Sequence, residues 1–305
     1  MRKVTISLEK AIYPGERTAL LLSLLLLALL SFGALLIRPS VLVITIAASL
    51  IYIRAKQGQL LGNSALVTNT NYIRINNLVT IACDELEMKK PRVHVIQDPY
   101  LNAFALGFTE PFTMVLHSAL LENLTDDELL FVIGHELGHI KRRHTRWLSF
   151  IAPFGRSIPG LDLIFKFWQR KAEYTCDRFG LIACGNLNTC LGAIIKISSG
   201  PDALKYTSFH EFAKQAQRAK GSIVDSLAEV MGTHPYITNR IVKLLEFYDA
   251  NFDQHSEAAP TRDNYRIVRC PNEYCQANLR LPRTDKNLLV TCPKCQGHFR
   301  VEADQ

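Results

Sequence analysis

Thr125-Asp-Asp-Glu-Leu-Leu-Phe-Val-Ile-Gly-His-Glu-Leu-Gly-His-Ile-Lys141 is the stretch on which the reading of this chain turns. It opens with Thr125 and, three residues on, Glu128, the reciprocal pair of a capping box, with acids in the first turn where the helix dipole favours them. Leu129, Leu130, Val132 and Ile133 give the apolar face, and Lys141-Arg-Arg143 supplies cations suited to a C-terminus. A helix is therefore predicted. On it His135 and His139 are four apart, so both imidazoles leave one face, the geometry of two ligands on a tetrahedral Zn²⁺. Glu136, turned about 100° from His135, is placed to act as general base toward a metal-activated water. Gly138 lets a neighbouring backbone approach closely.

The third ligand must come from elsewhere. The places three and six residues beyond His139 hold Arg142 and Thr145, which excludes the Gly and His of a metzincin. His144, rotated about 140° from His139, cannot close the site from the same helix. Downstream, Ala172-Glu-Tyr-Thr-Cys-Asp177 offers Glu173 and Asp177 at i and i+4 on a second predicted helix. Glu173 would complete a His₂Glu set with one open position, and Asp177 would accept the second ring N–H of a ligating histidine. Taken alone, the two acids read better as a solvated pair capping a helix; the upstream histidine pair turns the reading to a ligand and its support.

Upstream of the motif, Arg92–Gln97, Asn102–Phe108 and Phe112–His117 alternate in the manner of strands and predict a small antiparallel sheet. Gln57–Lys90 reads as mostly helical, and further helices are expected over Ala172–Ile182, Phe209–Met231 and Ile237–Tyr248. Trp147–Trp168 is rich in large apolar residues, but Pro153, Pro159, Arg156, Asp162 and Lys166 divide it into pieces too short to span a bilayer. It is expected to lie against the catalytic domain or the membrane surface.

Thr18–Ile37 is 20 residues without a formal charge, bounded by Arg17 and Arg38. At full helical length it covers about 30 Å, the thickness of a hydrocarbon core. It is longer than the apolar region of a signal peptide, and no small-residue cleavage site follows. A second run, Val41–Ile53, covers only about 20 Å, enough to span if the bilayer thins or flanking cations snorkel. Basic residues at both ends of the pair predict a hairpin with both ends on the cytoplasmic side. Lys and Arg outnumber Asp and Glu by 35 to 28. Because much of that excess flanks the apolar runs, anionic headgroups rather than nucleic acid are the expected partner.

Four of the eight cysteines fall in the last 36 residues as two pairs, Cys270/Cys275 and Cys292/Cys295. Cys83, Cys176, Cys184 and Cys190 sit among apolar residues, as small hydrophobes do. The paired arrangement resembles a zinc ribbon: two knuckles about 20 residues apart deliver four thiolates to a structural Zn²⁺. The first knuckle departs from the ideal, with four residues between its cysteines instead of two.

Four segments in order, Asn102-Ala-Phe-Ala105, His135-Glu-Leu-Gly-His139, Glu173-Tyr-Thr-Cys-Asp177 and His234-Pro-Tyr-Ile-Thr-Asn-Arg240, resemble the HtpX and CAAX prenyl protease-like family of gluzincin zinc metallopeptidases. The likeness covers about residues 57–248. It implies that Asn102, Ala103, Phe104 and Ala105 border the cleft as an edge strand for an extended peptide, that His234 helps stabilise the oxyanion and that Arg240 buttresses the site. His234-Pro235 also reads as a helix-starting turn. Cys176 stands where the family usually has Ala.

The expected architecture is α+β: residues 1–56 a membrane anchor (spans about 18–37 and 41–53), 57–250 a mainly helical zincin-type peptidase domain with the small sheet, 251–264 a linker and 265–305 the ribbon-like module. The expected function is a zinc endopeptidase of the inner membrane, with a cytoplasmic catalytic domain, acting on membrane or misfolded polypeptides. The alternative is a chaperone-like or adaptor membrane protein with little hydrolysis, binding protein or nucleic acid through the C-terminal ribbon; intact Glu136 speaks against the chaperone-like form.

Overall fold

The computed structural model describes residues 6–151, 161–205, 236–251, 265–271, 278–282, 288–291 and 298–301, and the chain divides into two compact units, Met1–Asn251 and Phe252–Gln305. In the first unit the helices are α1 (Glu16–Ile37), α2 (Pro39–Gly62), α3 (Ile73–Glu85), α4 (Ser118–Asn123), α5 (Asp126–Lys141), α6 (His144–Ile151), α7 (Leu161–Cys184), α8 (Leu187–Ser199) and α9 (Ile237–Asn251). The strands are β1 (Ala65–Leu66), β2 (Arg92–Ile96), β3 (Ala103–Leu106) and β4 (Thr113–His117). The helix expected over Phe209–Met231 lies outside the described residues.

The core is the crossing of α5 and α7. Helix α5 begins as its sequence predicts: the Glu128 N–H donates to Thr125 Oγ1 at 3.3 Å, and the Thr125 N–H donates back to Glu128 Oε2 at 2.9 Å. Its residues from Glu128 to Ile140 are all buried. Contact with α7 is closer than side chains normally allow, because both helices present glycine at the crossing. A Cβ on Gly180 would stand 2.7 Å from the Phe131 carbonyl oxygen, and one on Gly138 would stand 3.0 Å from Phe179 Cβ and 3.3 Å from Cys176 Cα. The glycines thus set the separation between the face carrying His135 and His139 and the face carrying Glu173.

The sheet corrects the expectation of an all-antiparallel arrangement. Its order is β1-β2-β4-β3, with β2 parallel to β4 and the other two pairings antiparallel. Direction alternates along the chain as hairpins require, but β4 inserts between β2 and β3, so two strands of like direction become neighbours. The reason is burial: Met114, Val115 and Leu116 of β4 are fully enclosed, whereas every residue of β3 is half-buried and suited to an edge. The long helix read over Gln57–Lys90 is likewise interrupted, since α2 stops at Gly62 and β1 precedes α3. Helix α8 was not foreseen.

Helix α1 packs one face (Ala19, Leu20, Leu24, Leu27) on Phe165, Trp168 and Ala172 of α7 and on Trp147 and Leu148 of α6. Its opposite face exposes Leu21, Leu22, Leu25, Leu29 and Leu36. Among the described residues α1 is the one helix long and apolar enough to cross a membrane, by length and composition. Helix α2 reaches beyond the expected run to Gly62, carrying Arg54 and Lys56 in its second half. The interrupted Trp147–Trp168 region forms α6 and the start of α7, against the catalytic core; residues 152–160 lie outside the description.

The second unit contains two antiparallel hairpins, β5 (Tyr265–Arg269) with β6 (Asn278–Pro282) and β7 (Leu288–Thr291) with β8 (His298–Val301). Cys270, buried, follows β5 directly. Cys275, Cys292 and Cys295 lie outside the described residues.

Candidate metal centre and substrate cleft

Helix geometry puts His135 and His139 on one face of α5, with Nε2 atoms 3.3 Å apart. Across the glycine crossing, Glu173 of α7 offers Oε2 at 3.6 Å from His135 Nε2 and Oε1 at 3.4 Å from His139 Nε2. All three side chains are buried, and their donor atoms form a mutual cluster. A tetrahedral zinc with ligands at about 2.0–2.1 Å spaces those ligands about 3.3 Å apart. Two imidazole nitrogens and a carboxylate, one oxygen 3.6 Å from His135 and the other 3.4 Å from His139, therefore fit the ion in donor type and lie close enough to share it.

Asp177, one turn after Glu173, lies behind the cluster. Its Oδ1 is 3.0 Å from His135 Nδ1 and accepts 2.5 Å from an Arg240 nitrogen, while Oδ2 accepts from Arg240 Nε at 2.9 Å. Burial alone would raise the Asp177 carboxyl; the Arg240 guanidinium and the His135 ring more than offset it and hold it below the usual carboxylate range. Burial also works against a charged His139, and the neighbouring Glu173 carboxylate reverses that effect, raising its pKa.

A cleft of about 360 Å³ opens onto these groups. Asn102, Ala103, Phe104 and Ala105 line one side, the last three on the free edge of β3, and Glu136 and Arg240 also face it. Glu136, on the turn between the two histidines, is buried beside them. His234 lies outside the described residues.

Two groups near the centre escaped the sequence reading. His144 was considered only as a ligand. The chain leaves α5 through Arg143 at φ 62°, and His144 returns as the first residue of α6 with Nδ1 3.3 Å from His139 Nδ1. Burial lowers the pKa of its ring to about 4 against the pull of Glu16. Glu16, 3% exposed, has Oε1 3.1 Å from His144 Nε2. The signal for it was present: an acid at the lip of a 20-residue apolar run is costly there without partners. His139, His144 and Cys176 also form a three-donor group. It shares His139 with the first cluster, and burial and the surrounding carboxylates raise the Cys176 thiol well above its ordinary pKa.

A His-Glu-x-x-His helix crossed by a second helix that carries a glutamate is the arrangement of a gluzincin-type metallopeptidase. The sequence model of peptidase family M48 matches residues 70–158 and 148–247, together more than half of the chain. The chain belongs to peptidase family M48 and is similar to its HtpX proteases. Among its relatives, plastoglobule-localized metallopeptidase 48 of Arabidopsis thaliana chloroplasts is 32% identical over 179 residues, 53% of this chain and 52% of that protein. A protease HtpX homolog of Bacteroides fragilis is 28% identical over 220 residues, 57% of this chain and 68% of the relative. The protease HtpX homolog 2 of Methanosarcina mazei is 24% identical over 222 residues, 59% and 74% of the two chains. The match thus spans about half the length of the plant enzyme.

Proposed function

We propose that this chain is a membrane-anchored zinc endopeptidase, with His135, His139 and Glu173 as metal ligands and Glu136 as general base. The observation that carries it is the clustering of the three side chains, with separations of 3.3, 3.4 and 3.6 Å, at the floor of a cleft bordered by β3, the edge strand of the sheet among the described residues. Zinc held there would polarise a carbonyl and lower the pKa of a water. Glu136 accepts the proton of the attacking water and passes it to the leaving amine. The free edge of β3 adds an extended peptide as one more strand, so main-chain hydrogen bonds hold the scissile bond over the cluster. Asp177 fixes the His135 tautomer and Arg240 neutralises Asp177; His234 is assigned to the oxyanion by family likeness alone. Substrates are membrane or misfolded polypeptides. The exposed apolar face of α1 supports the anchor, and the basic residues flanking it support an inner-membrane protein with its catalytic domain in the cytoplasm.

Glu136→Gln tests the mechanism. It should keep zinc, because Glu136 is not a ligand, while hydrolysis of a casein-type substrate falls by about 10²–10⁴-fold; normal proteolysis by the purified variant would falsify the assignment. His135→Ala, His139→Ala and Glu173→Ala should each lose the metal and the activity together.

The tail is assigned a separate structural zinc, held by Cys270, Cys275, Cys292 and Cys295, which fall in the connections of its two hairpins. Metal analysis should find two zinc ions per chain and one after truncation within residues 252–264. An unchanged count removes the ribbon.

A further inference from the structure

Among the described residues, the group behind His139 is a second imidazole. If His139 gives Nε2 to the cluster, its Nδ1 must carry the proton, and the atom facing it is His144 Nδ1 at 3.3 Å. That nitrogen must then accept, which places the proton of His144 on Nε2, aimed at Glu16 Oε1 3.1 Å away. One proton arrangement satisfies the whole line: the His139 Nδ1–H donates to His144, and the His144 Nε2–H donates to Glu16.

Glu16 is itself fixed from every side. Its Oε1 accepts from Arg142 Nη2 at 3.0 Å and Nε at 3.3 Å, and its Oε2 accepts from the Thr175 hydroxyl. Thr175 Oγ1 accepts in turn from the Tyr13 N–H at 2.9 Å. The segment before α1 is clamped to α7 by Lys171 Nζ, which donates to the Pro14 carbonyl at 3.0 Å, and by the Arg178 guanidinium, 4.8 Å from the Tyr13 ring centroid. A buried carboxylate is costly, and this one has exchanged its water for directed donors, the last of which leads to a cluster histidine.

We propose that Glu16, acting through His144, is a positioning residue of the metal centre: it fixes the tautomer and ring orientation of His139. The first turn of the apolar helix α1 then supports the metal centre, and a chain cut after α1 to obtain a soluble enzyme keeps the ligands but loses the support of His139. Partners behind ligating histidines typically contribute 10–100-fold to metal affinity. The proposal rests on His135, His139 and Glu173 holding zinc.

The test is zinc affinity of the full chain in detergent, measured by chelator competition, with His135→Ala reporting zinc bound elsewhere. Glu16→Gln and His144→Leu should each weaken the His135-dependent site by about 10–100-fold. His144→Gln, whose amide oxygen can accept from His139 while its NH₂ donates to Glu16, should recover affinity to within about threefold of wild type. A purely structural Glu16 would instead lower the melting temperature of the zinc-free protein and leave affinity unchanged. Affinities of Glu16→Gln and His144→Leu within about twofold of wild type overturn the proposal. Should His144→Leu not fold, Glu16→Gln and the recovery by His144→Gln decide alone. A wild-type chain without His135-dependent zinc overturns the metal assignment itself, so the two failures are told apart.

Discussion

The group behind His135 shares a helix with a donor of the cluster, whereas the support behind His139 runs through a second histidine to the start of α1. Asp177 stands one turn beyond Glu173 on α7, so a single helix delivers both a donor to the cluster and the group behind the facing histidine. His139 instead leans on His144, across the turn that ends α5, and through it on Glu16, 128 residues from His144 in sequence. A spacing of four on one helix is visible in any sequence, because 3.6 residues per turn bring both side chains to one face. A contact made by folding the first turn of an apolar helix onto the catalytic core has no such signature. The difference also predicts unequal behaviour: Asp177 is held with Arg240 inside the core of the peptidase unit, whereas Glu16 ties that core to α1.

The largest effect is expected on the His135 side. Asp177 is 1% exposed in its side chain and Arg240 14%, so Asp177→Asn leaves a buried guanidinium without its counter-charge. Breaking such a pair from one end costs about 3–5 kcal/mol, readable in denaturation of the zinc-free protein. Zinc affinity should fall as well, by about 10–100-fold, as the His135 ring loses its charged acceptor. If Asp177→Asn weakens zinc without any loss of stability, the two sides differ less than their surroundings imply.

The legible part of this molecule is what short-range periodicity can encode. The capping box of α5, the histidine pair, the acidic pair on α7 and the strand segments 92–96, 103–106 and 113–117 were all visible as local patterns. The sheet order was not, because strand alternation fixes which face is buried and not which neighbour lies alongside. Helix α8 was missed for a related reason: within Leu187–Ser199 the buried residues are one continuous run, Cys190–Ile195, without the spacing of an apolar stripe, and its Asn186 cap was the one cue. Glu16 stands just outside Arg17, the residue that bounds the apolar run, and no local pattern singles it out as a partner of His144. Only the fold shows the arginine, threonine and histidine that make its burial tolerable.

A smaller effect should follow from altering the crossing that brings the two sides together. Gly180→Ala would push a methyl to 2.7 Å from the Phe131 carbonyl oxygen and 2.7 Å from its ring, and backbone oxygen cannot swing aside as a flexible side chain can. The helices must part by some tenths of an ångström, at about 1–3 kcal/mol. Because Glu173 rides on α7 and both histidines on α5, that parting lengthens both carboxylate-to-imidazole distances. Stability and zinc affinity should therefore fall together, unlike the Glu16 variants. Unchanged zinc affinity in a destabilised Gly180→Ala protein would show that the cluster re-forms independently of the crossing.

The smallest change provides the control for the others. Thr125→Ala removes the side-chain acceptor of the Glu128 N–H but leaves the Thr125 N–H donating to Glu128 Oε2, and Glu128 keeps Lys196 at 2.8 Å. The expected loss is about 1 kcal/mol, typical of an N-cap truncation, measured by denaturation of the zinc-free chain. The cap lies ten residues before His135 on the same helix, so the variant weakens the element that carries the histidines without touching a group behind them. Zinc affinity should stay within about twofold of wild type, since a frayed first turn does not reorient a ring nearly three turns away. If affinity falls in proportion to stability here, then zinc binding merely reports how well α5 is folded. The losses in the Asp177 and Glu16 variants would then lose their positional meaning, and the contrast between the two histidines would reduce to one of stability.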